Sequence, residues 1–389
     1  MATDEQDGER HGFETKAIHA GSPPDPATGA VVPPLNLSTT FAQHGVGQHQ
    51  GWEYARSGNP TRAALETAVA TLEGAAHGFA FASGLAAEDA VLRLLGWGEG
   101  VVLGDDAYGG TYRLIDKVHG PAGHPWVALD LTGDADRLDA DWPPDIRLVW
   151  LETPTNPALR IVDIEAVADV AYHHSALVVV DNTFATPYLT QPLSLGADVV
   201  VHSSTKYLGG HSDVVGGFVA LNDDELADRI GFLQNAVGAV PSPFDCYLVH
   251  RGVKTLAVRL DRQCANARAV AELLRSHPAV DTVLWPGLDE HPGHDIAKRQ
   301  MRDFGAMVSF TLRGGEAAAV AVCEATELFT LAESLGAVES LIEHPARMTH
   351  ASAAGSQLEV DPALVRLSVG IESADDLLAD LAKALSRVG

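Results

Sequence analysis

At 389 residues, 46% of them hydrophobic and 20% charged, the chain has the length of two domains and the composition of a globular protein with a sizeable core. Its 52 acidic and 26 basic residues give a formal net charge of −26, which argues against nucleic acid and anionic membranes as partners. Three cysteines, at 246, 264 and 323, form no CxxC pair, so neither a disulfide framework nor a cysteine zinc site is expected. The seventeen histidines include no HExxH, and no metal is expected.

The first twenty residues lack an apolar stretch of signal-peptide length, and no apolar run reaches the ~20 residues of a membrane span. A soluble, cytoplasmic protein is the expectation. Residues 1–60, rich in Gly, Pro, Thr and His, show no sustained helical or strand period and read as an extended arm. An arm of that length packs on something, a second subunit being the natural candidate. Residues 61–250 form the expected large domain. Its candidate strands are Phe79–Ser83, Gly100–Gly104, Leu148–Glu152, Leu177–Asp181, Val199–His202 and Gly217–Leu221. Several are apolar nearly throughout, as in a buried, mostly parallel sheet. Helical stretches such as Gly84–Leu95 and Ile164–His173 lie between them, so the class is α/β with helices layered on the sheet. From 251 to 389 a smaller α+β domain is expected, opening on a long helix in KTLAVRLDRQCANARAVAELLRSH and closing on ADDLLADLAKALSRV.

Four features stand in order at strand ends. Ser83-Gly84-Leu85 opens a helix, where backbone N–H groups suit an anion, although many α/β proteins have such a turn without a ligand. Tyr108, in DDAYGGTYR, is placed to stack on a flat ring or to pack in the core. Asp181 closes LVVVD, where it serves either a ligand or as a helix cap. Lys206, one of only six lysines, follows VVVHSST and is flanked by Ser203, Ser204, Thr205, Gly209 and Gly210. A desolvated lysine becomes a nucleophilic amine; a lysine at a strand end is also commonly structural. Taken together, phosphate turn, stacking ring, acidic partner and amine are the parts a pyridoxal-phosphate (PLP) enzyme needs.

The segments GWEYARSGNPTR, FASGLAA, DDAYGGTYR, ETPTNP, VVDNTFATPY, HSSTKYLGGHSDVVGG, AESLGAVESLIEHPARMTH and VRLSVG resemble the cystathionine γ-synthase and γ-lyase family of Cys/Met-metabolism PLP enzymes. The resemblance runs from about Thr15 to the C-terminus. It implies the fold-type I PLP transferase architecture, with PLP held as a Schiff base on Lys206, which then shuttles protons. Asp181 would meet the pyridine nitrogen and Tyr108 would stack on the ring. Ser83, Gly84, Leu85, Ser203 and Thr205 would hold the phosphate, joined by Tyr54 and Arg56 of a neighbouring subunit in a homotetramer built as a dimer of dimers.

By the same resemblance Arg366 clamps the α-carboxylate of an amino-acid substrate with help from Asn156 and Ser334. Glu53, Arg113 and Glu333 would face its far end. The implied reaction is γ-elimination from cystathionine to cysteine, 2-oxobutyrate and ammonia. The alternative is γ-replacement of an O-succinyl- or O-acetylhomoserine by cysteine. Gly110 stands where methionine γ-lyases typically carry cysteine. A non-catalytic PLP-binding scaffold is the reading from another class; the set Lys206, Asp181, Tyr108 and Arg366 weighs against it.

Overall fold

The computed structural model describes residues 11–388, so the first ten residues of the expected arm lie outside the described residues. In chain order the strands are β1 His77–Phe81, β2 Gly100–Gly104, β3 Trp126–Leu129, β4 Ile146–Glu152, β5 Leu177–Asp181, β6 Val199–His202, β7 Gly217–Leu221, β8 Val280–Leu284, β9 Met307–Leu312, β10 Thr330–Leu331, β11 Leu341–Glu343 and β12 Leu364–Ser368. The chain groups into two units, Met1–Leu94 with Asp198–Ala257 and Leu95–Ala197 with Val258–Gly389.

In the first unit β7 pairs antiparallel with β1 on one side and β6 on the other, Val219 facing Phe79 and Val201. Every residue of β6 and β7 is buried, which is why both read as unbroken apolar runs. The helix Pro60–Glu73 starts where Asn59 accepts the N–H groups of Thr61 and Arg62, and it stops at Gly74, whose φ of 69° is left-handed. It buries Leu65, Ala68, Val69 and Leu72. Its last residue, Glu73, meets Nε2 of His202 at 2.5 Å with both side chains sealed from solvent. Removing either partner leaves the other buried without its hydrogen bond, at a cost of about 1–3 kcal/mol.

The arm contains one element that its composition does not announce, the two-turn helix Phe13–His19. It buries only Ala17, too little for an apolar period to register. Residues 20–59 contain no helix, and their one bridge joins Thr40 to Tyr54. Val31, Val32, Leu37 and Val46 lie exposed along this segment.

In the second unit β5, β4, β2 and β3 lie side by side, all parallel, with Val178 opposite Val149 and Val149 opposite Val102. The helix Ile164–His173, capped by Asp163, packs Ile164, Val167 and Val170 against Val149, Leu151 and Val180. The half-buried β3, WVAL, was not among the candidate strands. A second sheet runs β10-β11-β12-β9-β8, antiparallel except for β10 and β11. Phe310, Val365 and Leu367 of this sheet pack with Leu274, Val322, Leu377 and Leu381 from three helices. Among the described residues no helix is long and apolar enough to cross a membrane.

The helix Pro243–Val253 lies against the turn that follows Lys206. A Cβ at Gly252 would stand 2.2 Å from the Gly209 carbonyl oxygen and 2.7 Å from that of Leu208. Backbone oxygens cannot swing aside, so Gly252→Ala should lower stability by about 1–3 kcal/mol and depress the melting temperature by calorimetry. An unchanged melting temperature would mean that this turn yields freely.

Candidate active site

The first unit carries Lys206, Ser203, Thr205, Ser83, Gly84, Leu85, Glu53, Tyr54 and Arg56. Lys206 lies in the turn after β6, where its N–H donates to the Ser203 carbonyl at 3.1 Å and its own carbonyl accepts from Gly210 at 2.7 Å. The side chain is half-buried. Ser83 caps the helix Gly84–Leu92, its Oγ accepting the Ala86 N–H at 3.1 Å and its carbonyl the Ala87 N–H. Neither bond uses the N–H groups of Gly84 and Leu85, the open donors of a helix N-terminus.

Ser203 sits over that turn: a Cβ on Gly84 would meet Ser203 Cβ at 3.0 Å and Oγ at 3.2 Å. Thr205 Oγ1 accepts the Gly216 N–H at 3.0 Å and lies 3.2 Å from the Gly216 carbonyl, so its single hydrogen can turn from that long contact to an anion. Two open N–H groups and two adjacent hydroxyls fit a phosphate. Glu53, Tyr54 and Arg56 are exposed. Within the chain Arg56 Nη1 donates to Asn235 through its carbonyl (2.6 Å) and Oδ1 (2.8 Å), and the guanidinium lies 5.8 Å from the Tyr54 ring centre.

The second unit carries Tyr108, Arg113, Asn156, Asp181, Glu333, Ser334 and Arg366. Glu152 and Asp181 end β4 and β5 as directly paired residues, so both carboxylates stand at the carboxyl edge of the parallel strands. Glu152 Oε1 accepts the Tyr108 N–H at 2.8 Å, and Asp181 Oδ1 accepts that of Thr183 at 2.9 Å. The helix that follows starts only at Thr186, after Ala185 and with no side-chain cap, so Asp181 is not its cap; the Thr183 bond leaves the carboxylate with further acceptor sites for a ligand. The loop bearing Tyr108 is tied to the loop bearing Asn156 by Asp106, which takes the Thr155 hydroxyl and the Ala158 N–H. Burial pushes the Asp106 carboxyl above the usual carboxylate range.

Arg366, on β12, is 2% exposed. Its Nη1 donates to Asn156 Oδ1 at 2.8 Å, and its Nη2 donates to the Ser334 carbonyl at 3.1 Å. Ser334 has a φ of 94°, a conformation costing on the order of 1–3 kcal/mol in a residue with a side chain. Glu343, paired with Arg366 across β11 and β12, brings Oε1 within 3.1 Å of Nη2. Arg366 Nε has no hydrogen-bond partner among the described residues. A buried, partly unsatisfied guanidinium suits a carboxylate ligand.

His350 closes the group: its Nε2 lies 3.1 Å from the Asn156 carbonyl, its Nδ1 lies 2.9 Å from Thr349 Oγ1, and its ring meets Tyr108 edge-on at 6.2 Å. The second unit thus gathers Tyr108, Asn156, Ser334 and Arg366. Glu333 and Arg113 are exposed, Arg113 reaching only Ser352 Oγ at 3.5 Å.

Sequence reasoning gave Glu343, His350 and Glu152 no role. The signal for Glu343 was present, a carboxylate ending the apolar run LI. The three cysteines are buried, and burial pushes each thiol to about 12, so none supplies a ready thiolate.

A family profile for Cys/Met metabolism PLP-dependent enzymes matches residues 14–386. The chain is 60% identical over 376 residues to a cystathionine γ-synthase of Mycobacterium tuberculosis, covering 96% of this chain and 97% of that one. It is 52% identical over 378 residues to a cystathionine β-lyase of Lactococcus lactis, covering 96% and 99%. Among solved structures, a cystathionine γ-lyase of Lactobacillus plantarum complexed with L-serine matches with a TM-score of 0.93 at 46% identity, covering 97% and 99%.

Burial, then the Arg366 charge, holds the His350 imidazole down at about 4, against the pull of the Asn156 carbonyl. The unfolded chain protonates this histidine near its ordinary 6.5, so it takes up a proton that the native state refuses. Stability is therefore present above pH 6.5 and lost as pH falls towards 4. His350→Gln should flatten the fall in unfolding free energy across that window, read from urea titrations, by at most about 3 kcal/mol. An unaltered slope would place the titration elsewhere, His250 (also held at about 4) being the next group to replace.

Proposed function

The chain belongs to the Cys/Met-metabolism PLP-dependent enzymes, and from that premise we propose that it is a cystathionine γ-synthase, in which the sulfur of cysteine displaces succinate or acetate from Cγ of an O-succinyl- or O-acetylhomoserine. The observation that carries this choice is the 60% identity, over nearly the whole length of both chains, to a relative of that name. The γ-lyase expected from the sequence becomes the second reading, favoured by the likeness to the L. plantarum enzyme. Gly110 argues against the methionine γ-lyase pattern, since a Cβ there would stand 2.3 Å from Tyr108 Cε1.

Bound PLP supplies an electron sink for the carbon bearing the substrate amine. Lys206 Nζ is the amine that would hold it and would serve as the base for the Cα proton. Asp181 would keep a proton on the pyridine nitrogen, and Tyr108 would lie against the ring. Gly84 and Leu85 N–H groups, with the Ser203 and Thr205 hydroxyls, hold the phosphate. Arg366 binds the substrate α-carboxylate with Asn156 and Ser334 fixing its plane. Glu53, Arg113 and Glu333 meet the far end of the substrate.

The exposed Tyr54 and Arg56, on an arm with apolar side chains open to solvent, complete the phosphate site of a neighbouring subunit. The assembly is a homotetramer, a dimer of dimers. Tyr54→Ala and Lys206→Ala proteins, each inactive, should regain activity when mixed. No recovery despite demonstrated subunit exchange would count against the shared site.

Purified, PLP-loaded enzyme should form cystathionine quickly from an O-acylhomoserine and cysteine, and release 2-oxobutyrate from cystathionine slowly. Fast cleavage with slow condensation would make it a γ-lyase and displace the preferred reading.

A further inference from the structure

The Arg366–Glu343 pair combines full burial with incomplete hydrogen bonding. The side chains are each 2% exposed. The directed N–H bonds of Arg366 go elsewhere, to Asn156 Oδ1 and to the Ser334 carbonyl. Glu343 Oε1 lies 3.1 Å from Nη2 without an aligned N–H, and it is instead the acceptor of the Thr349 hydroxyl at 2.7 Å. Glu343 Oε2 and Arg366 Nε are buried with no hydrogen-bond partner among the described residues. The carboxylate therefore balances the guanidinium's charge while leaving donor capacity open. A structural ion pair would align its bonds; this one does not.

We propose that Glu343 is a specificity-determining residue that sets the affinity of Arg366 for carboxylates. This rests on the reading of Arg366 as the α-carboxylate clamp. With no ligand, Arg366 and Glu343 sum to zero, and His350, facing the same group with its hydrogen on Nε2 towards the Asn156 carbonyl, is neutral. A bound carboxylate leaves one excess negative charge in a sealed site. Glu343 thus holds the guanidinium in place and weakens the grip on the ligand, which favours product release.

The test uses the PLP-loaded enzyme and two ligands without a leaving group, L-alanine and L-alaninamide, titrated by the change in cofactor absorbance. Glu343→Gln removes the charge and keeps an acceptor for Thr349. It should tighten L-alanine by about tenfold or more, as expected when the repulsion between two like charges in a medium less polar than water is removed. L-Alaninamide should be unaffected, KM should fall, and the melting temperature should drop. Glu343→Asp keeps the charge and should hold the alanine-to-alaninamide ratio near wild type; it also serves if the glutamine variant does not fold.

Equal weakening of both ligands, or no change in their ratio, in Glu343→Gln would overturn the proposal and leave Glu343 a structural prop. If Arg366→Lys also leaves that ratio unchanged, the carboxylate clamp itself is misassigned, which separates the failure of the underlying reading from that of the proposal.

Discussion

A whole positive charge at 2% exposure governs the second unit. Transferring a guanidinium out of water is tolerable only if nearly every neighbour is an acceptor or a counter-charge. Around Arg366 those neighbours come from separate stretches of chain: Asn156 after β4, Ser334 between β10 and β11, and Glu343 on β11. Each is committed in turn. The Asn156 carbonyl takes His350, Glu343 takes Thr349, and Ser334 holds a left-handed backbone to present its carbonyl. Tyr108 joins through the edge of His350 and through Glu152. One buried charge thereby orders the loops that carry Asn156, Glu333 and Ser334.

The first unit solves a different problem with different means. Its turn at Ser83-Gly84 lies so near Ser203 that a Cβ on Gly84 would stand 3.0 Å from Ser203 Cβ, and its helix Pro243–Val253 lies so near the turn after Lys206 that a methyl group at Gly252 would collide with the Gly209 carbonyl. That closeness brings open N–H groups and hydroxyls together, which is what an anion requires, and it places the amine of Lys206 in the adjoining turn. Charge satisfaction shapes one half of the machinery and backbone proximity the other.

These two kinds of order differ in how plainly a sequence displays them. Four strands, Gly100–Gly104, Leu177–Asp181, Val199–His202 and Gly217–Leu221, have the bounds their apolar runs suggested, because they are buried nearly throughout. The helix Ile164–His173 was equally plain, with Asp163 before it. β3 was missed because all four of its residues are half-buried. The helix Phe13–His19 was missed because two turns with one buried residue carry no period. Lys206, Asp181, Tyr108 and Ser83-Gly84 stood out because strand ends are where α/β sheets put ligand groups. Glu343 and His350 lay inside a noticed segment, yet their partners are strands and loops distant in sequence. Which carboxylate neutralises which guanidinium is a tertiary fact that no local pattern encodes.

The central claim is that the chemistry of this chain runs through a cofactor bound to one lysine of six. Borohydride reduction of the PLP-loaded enzyme, followed by peptide mass spectrometry, tests it most directly. The account predicts a phosphopyridoxyl group on the peptide containing Lys206 and on no other lysine, with loss of the yellow chromophore. A modified lysine elsewhere, or a reducible chromophore retained by Lys206→Ala protein, would contradict it.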